Sequence, residues 1–124
     1  MIACDTSSFA ALLGGASGAD VDQLAAALRD GTLALPPAAI AEILSNPGTH
    51  AAAKALIHGV CVLDILPDYW IRVAESRSKL IQKRLKARLA DALIAQSCVD
   101  ADVALIARDR DFRHFAKHCG LKLA

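Results

Sequence analysis

The sequence predicts a three-layer α/β/α fold built on a central, mainly parallel sheet of about five strands. Three observations carry that expectation. Five mainly apolar runs of strand length stand along the chain, at residues 1–4, 32–35, 60–65, 103–107 and 121–123, and turn-forming or charged residues bound them. The segments between them carry apolar residues at helical spacing, and strands separated by helices imply parallel pairing through crossovers. Hydrophobic residues make up 55% of the chain but aromatics only 4%, so the core is built from Ala, Leu, Ile and Val. That suits helices on a sheet better than an aromatic-rich all-β fold. With 124 residues the chain makes one domain, 1–124, long enough to bury a core without staples.

Met1 to Cys4 is the first strand, and Asp5-Thr6-Ser7-Ser8 ends it with an acid and hydroxyls that can cap the next helix. Phe9 to Leu13 continues as helix until Gly14-Gly15, with Gly18 just beyond. These glycines follow no strand and lead to no Walker-type lysine, so they stop a helix and do not cradle phosphate. Asp20 to Arg29 is a second helix with Val21, Leu24, Ala25 and Leu28 on one stripe. Asp30-Gly31 turns the chain into the strand Thr32–Leu35, and Pro36-Pro37 suits a strand exit and helix entry. Ala38 to Leu44 is helical and almost wholly apolar except for Glu42. A carboxylate there is either a water-facing helix edge or part of a site.

Ser45-Asn46-Pro47-Gly48 is a strong turn signal. Thr49 to Gly59 is an Ala-rich helix whose His50 and His58 read as solvent-edge residues, since neither has a metal-type neighbour in sequence. Val60 to Ile65 is a third strand, and Leu66-Pro67-Asp68 opens a long helix through Tyr69, Trp70 and Val73 to Leu80 or beyond. Between Arg72 and Arg88 stand seven basic residues against Glu75 alone, either a solvated face or a phosphate-contacting surface. A further helix runs from Leu89 with Asp91 in its first turn, before the strand Val103–Ala107 and the turn Arg108-Asp109-Arg110-Asp111-Phe112. Arg113 to Cys119 is a short helix, and Leu121 to Leu123 an edge strand.

Net charge is +1, but residues 1–71 hold two basic and seven acidic side chains while residues 72–124 hold twelve basic and six acidic. Such a split suggests a polyanion meeting one face. Cys4, Cys61, Cys98 and Cys119 stand far apart with no C-x-x-C pair, as expected of buried thiols in a reducing cytosol. No basic leader with an apolar stretch precedes Asp5, and uncharged runs are too short to span a bilayer. A soluble, cytoplasmic protein with no membrane partner is therefore expected.

In parallel α/β sheets, sites form at the carboxyl edge of the strands. Asp5 ends the first strand, Asp109 follows the fourth by two residues, Glu42 lies early in the helix after the second, and Asp91 begins the helix that returns towards the fourth. Four carboxylates from distant places are thus predicted on one rim. Clustered carboxylates repel unless a cation resolves the charge, and oxygen-only ligands select a hard metal, Mg²⁺ or Mn²⁺. Such an ion can activate water and stabilise charge on a phosphodiester, and nearby basic residues would hold the nucleic-acid backbone. Two other hydrolase-type readings fail on the residues. An Asp-nucleophile phosphatase needs a second acid where Ser7 stands, and a phospho-acceptor receiver needs an acidic pair where strand one offers only Asp5.

Four motifs in order, Asp5-Thr6-Ser7, Ala41-Glu42-Ile43-Leu44, Ala90-Asp91-Ala92-Leu93-Ile94-Ala95 and Arg108-Asp109-Arg110-Asp111-Phe112, resemble the PIN domain family. In particular they resemble the VapC-type toxin ribonucleases of type II toxin–antitoxin pairs, and the resemblance covers nearly the whole chain. It implies a Mg²⁺- or Mn²⁺-dependent single-strand endoribonuclease, a homodimer held inactive by a cognate VapB-like antitoxin. It also implies that Asp5 and Asp91 are metal ligands, that Glu42 and Asp109 complete the site directly or through water, and that Thr6 or Ser7 hydrogen-bonds within it. Asp111 is expected as the N-cap before Phe112 in preference to an outer acid. Arg84, Lys86, Arg88, Arg108 and Arg110 are candidate RNA contacts, the last two alternatively pairing with neighbouring acids. Two other readings remain open: a PIN-type protein that binds antitoxin or RNA without cutting, and an RNA-processing nuclease without an antitoxin.

Overall fold

The computed structural model describes residues 1–124. The elements follow in the order β1 (Ile2–Cys4), α1 (Thr6–Leu13), α2 (Ala19–Asp30), β2 (Ala34–Leu35), α3 (Pro37–Leu44), α4 (His50–Ile57), β3 (Cys61–Val62), α5 (Tyr69–Gln82), α6 (Leu89–Ala101), β4 (Ala104–Ile106) and α7 (Phe112–Cys119). β1 pairs in parallel with β4, and β2 with β3. Single parallel bridges at Ile2–Leu33 and Leu105–Leu123 join these pairs into one sheet of spatial order β3–β2–β1–β4–Leu123. The expected α/β class and parallel sheet are therefore present, with five chain segments in the sheet. The strands are shorter than the apolar runs that predicted them. Val60–Ile65 contributes only Cys61 and Val62, and the last strand is reduced to one bridge at Leu123.

The chain leaves β1 for β2 and β3 on one side, then returns to place β4 on the other. Right-handed crossovers running in opposite directions cover opposite faces of the sheet. The point where the order reverses lies between β1 and β4, and at their carboxyl ends the chain opens a crevice. The Asp5 N–H still donates to Ile106 O at 2.9 Å, so the two exits are locked side by side.

One apolar core joins the sheet to the helices: Leu35 from β2 with Leu33 just before it, Leu105 and Ile106 from β4, Leu24 from α2, Ile94 from α6, and Phe112 and Phe115 from α7. α5 and α6 pack as a pair stitched by polar groups. The Tyr69 hydroxyl donates to Leu93 O at 2.6 Å, and the Arg72 guanidinium grips Asp100 through two contacts of 3.0 and 2.6 Å. Arg72 holds the Asp100 carboxyl below the usual carboxylate range. No helix is long and apolar enough to cross a membrane. All four cysteines are free. Cys4 and Cys98 are buried as expected, and burial pushes the Cys98 thiol up to about 12. Cys61 departs from the expectation: it is exposed because β3 is the edge strand, where both residues are left uncovered.

Candidate carboxylate site

Asp5 sits at the end of β1 and is 1% exposed. Its Oδ1 accepts from the Ser8 N–H at 2.7 Å, so Asp5 itself caps α1, and the hydroxyl residues expected to do so lie inside the first turn. Its Oδ2 accepts from two backbone N–H groups across the crevice, Arg108 at 3.0 Å and Asp109 at 3.1 Å. Thus β1 grips the turn that follows β4.

Two acids of that turn join a third from α6 in one cluster. Ligand atoms of Asp91, Asp109 and Asp111 all lie within 4.8 Å of one another. Asp91 comes from the first turn of α6, where a helix N-terminus favours negative charge. It is 9% exposed, and its Oδ2 is buried without a hydrogen-bond partner. Burial, reinforced by the Asp109 charge, pushes its carboxyl up to about 6; Arg88 opposes the rise, while Glu42 and Asp111 add to it. Asp109 Oδ1 accepts the Asp111 N–H at 2.9 Å, which shapes the turn.

Asp111 does not behave as the cap expected of it. It stands immediately before α7, but its backbone is already helical (φ −65°, ψ −21°) and its side chain caps nothing. A capping residue needs extended backbone for its side chain to reach forward. The carboxylate instead joins the cluster and meets Lys86 Nζ at 3.4 Å. Glu42, exposed on α3, accepts the Thr6 hydroxyl at 2.6 Å and lies within the field of Asp91 because α3 packs on α6. Ser7 is exposed, so of the two expected hydroxyls it is Thr6 that bonds a site carboxylate.

The basic residues divide into two groups. Arg72 binds Asp100, Arg77 Nε donates to Ala87 O at 2.8 Å, and Lys79 Nζ donates to His118 O at 3.3 Å, so part of the basic run anchors the fold. Arg84, Lys86, Arg88 and Arg110 are exposed. Arg108, the fifth candidate RNA contact, has its guanidinium on Asp20 Oδ2 at 2.8 Å and on Ser17 O at 2.8 Å. Asp20 was not singled out by the sequence, and nothing local marks a partner 88 positions away.

The donor set fits a hard divalent ion. It is all oxygen, it concentrates negative charge, and it leaves one buried carboxylate oxygen without a protein partner. Asp91, Asp109 and Asp111 are the residues closest together, with Asp5 bracing them and Glu42 at their flank.

No curated protein matches the chain. Among solved structures, a chain from the crystal structure of VapBC2 from Rickettsia felis bound to a DNA fragment from their promoter is similar. It has a TM-score of 0.76 and 18% identity, over 100% of this chain and 98% of that one. At that identity the likeness is one of fold. The family model described as PIN domain matches residues 2–118, and a match over nearly the full length shows that the chain belongs to the PIN domain family.

Proposed function

We propose that the protein is a metal-dependent endoribonuclease, the toxin of a toxin–antitoxin pair, acting in the cytoplasm. The observation that carries this reading is the partnerless buried oxygen of Asp91 inside a cluster of three carboxylates. Asp91, Asp109 and Asp111 would hold Mg²⁺ or Mn²⁺, with Asp5 and Glu42 as the further acids of the rim. The ion would supply a water of lowered pKa and compensate charge on the phosphodiester.

The chain's own residues prepare that chemistry. Asp5 fixes the Arg108–Asp109 backbone through two hydrogen bonds, so Asp109 meets Asp91 at little reorganisation cost. The Thr6 hydroxyl holds Glu42 in one orientation beside the cluster. Arg84, Lys86, Arg88 and Arg110 offer exposed positive charge to the RNA backbone. Lys86 contacts Asp111, so it can neutralise an acid or meet phosphate.

Two partners follow from the same reading. The likeness of fold to a chain from a VapBC complex supports a VapB-like antitoxin. A homodimer is supported by α5, which leaves Trp70, Ala74, Ser78 and Ile81 uncovered around one groove beside Leu89. Trp70 is 65% exposed, Leu89 55% and Ile81 51%, a contiguous apolar face of the kind that marks an interface.

The test is cleavage of several RNA classes by antitoxin-free protein with Mg²⁺, Mn²⁺ or EDTA, beside Asp91→Asn and Asp109→Asn. Discrete metal-dependent cuts that fall by about a hundredfold or more in both variants are expected. Cleavage that survives EDTA and both substitutions would overturn the assignment. Binding of RNA with no cleavage by the wild type would favour the non-catalytic member of the family.

A further inference from the structure

We infer that Arg108 and Asp20 form a tether that sets the position of the carboxylate turn, making Arg108 a positioning residue. The turn after β4 is held from two directions. On its backbone side, the N–H groups of Arg108 and Asp109 converge on Asp5 Oδ2. On its side-chain side, the Arg108 guanidinium reaches the start of α2, meeting Asp20 at 2.8 and 3.4 Å and Ser17 O at 2.8 Å. The backbone unit between these two anchors is the one that carries Asp109 into the cluster with Asp91 and Asp111.

The α1–α2 connection is shaped to allow this approach. Gly18 adopts φ 148°, a conformation that a side chain rarely tolerates. A Cβ there would stand 2.6 Å from Asp20 Oδ1 and 3.0 Å from Arg108 Nη2. The guanidinium therefore lies against bare backbone, and a residue larger than glycine would push it off Asp20. Arg108 in turn holds the Asp20 carboxyl below the usual carboxylate range. The Nε and Nη2 edge of the guanidinium is thus taken by Asp20 and Ser17, the edge that a carboxylate or phosphate would grip bidentately.

An exposed ion pair adds little to global stability, so a tether is distinguished by where its loss is felt. Residues that orient metal ligands from outside commonly change affinity by an order of magnitude when removed. The metal arm of the test rests on the proposed metal site, whereas the exchange arm does not.

The experiment compares wild type, Asp20→Asn, Arg108→Gln, the double variant, and Asp102→Asn, which breaks a different exposed pair with Lys122. Amide hydrogen exchange is read in metal-free protein at Arg108 and Asp109, with Leu105 and Ile106 as internal references. Mn²⁺ affinity is read by electron paramagnetic resonance. The tether predicts roughly fivefold faster exchange at Arg108 and Asp109 in either single variant, an unchanged rate in Asp102→Asn, and no further change in the double. Mn²⁺ affinity should fall roughly tenfold in the same variants. Unchanged exchange at these two amides, equal changes in Asp102→Asn, or additive effects of the two substitutions would each overturn the inference. A wild type that binds no Mn²⁺ would sink the metal site, while the exchange data would still decide the tether.

Discussion

At the scale of a single side chain, Asp91 ties the carboxylate cluster to the stability of the fold. Its carboxyl is pushed up to about 6 by burial and by Asp109, so the folded chain holds that proton more tightly than the unfolded one. A raised acid pKa means that stability is lost as pH rises from the ordinary value of 3.8 to about 6 and stays low above it. The metal-free protein should therefore melt at a lower temperature at pH 7 than at pH 4.5, as far as Asp91 governs the difference, and Mg²⁺ or Mn²⁺ should recover the loss. Removing the charge should do the same without metal. Asp91→Asn is expected to stabilise the metal-free chain at pH 7 by about 1–2 kcal/mol after solvent screening, a rise in Tm of roughly 4–8 °C. It should also abolish the stabilisation by Mn²⁺. A differential scan in which the variant melts below wild type, or still gains from Mn²⁺, would contradict this account.

At the scale of elements, the order of strands and helices was legible in the sequence because apolar spacing writes it locally. The runs Met1–Cys4 and Val103–Ala107 hold the strands Ile2–Cys4 and Ala104–Ile106, and the stripe of Val21, Leu24, Ala25 and Leu28 belongs to α2. Lengths were less legible. The run Val60–Ile65 is apolar except for Asp64, but pairing with a two-residue β2 fixes how much of it is strand. The candidate site divides in the same way. That Asp5, Glu42, Asp91 and Asp109 share a rim followed from strand ends. That Asp5 spends both oxygens on backbone N–H groups, that Arg108 turns to Asp20, and that Asp111 faces Lys86 did not. Each of these depends on a partner brought close only by the tertiary fold. The α5–α6 pairing offers a check on the scaffold beneath the site. Tyr69→Phe removes the hydroxyl that bonds Leu93 O and should cost about 1 kcal/mol, some 4 °C in Tm. Activity should stay intact at temperatures where the variant is folded, as a thermal melt beside a cleavage assay would show.

The whole molecule is divided by charge and by exposure. Positive charge gathers in residues 72–124, and the uncovered apolar face of α5 lies in the same half of the chain. If that face joins two copies, a charge placed in its middle should separate them. Ile81→Glu or Trp70→Glu is expected to convert a dimer into a monomer in sedimentation velocity, with circular dichroism unchanged. A wild type that sediments as a monomer at every concentration tested, or variants that remain dimeric, would remove α5 as the interface.

The reversal of strand order between β1 and β4 has a further consequence. Asp5 and Asp109 are 104 residues apart in sequence and meet directly, so the acidic crevice closes only when β4 and the turn after it have been made. A polypeptide still being translated, lacking β4 and its turn, possesses α1, α2 and α3 but no assembled acidic centre. Synthesis itself thus postpones assembly of this centre until β4 and the turn after it have been made.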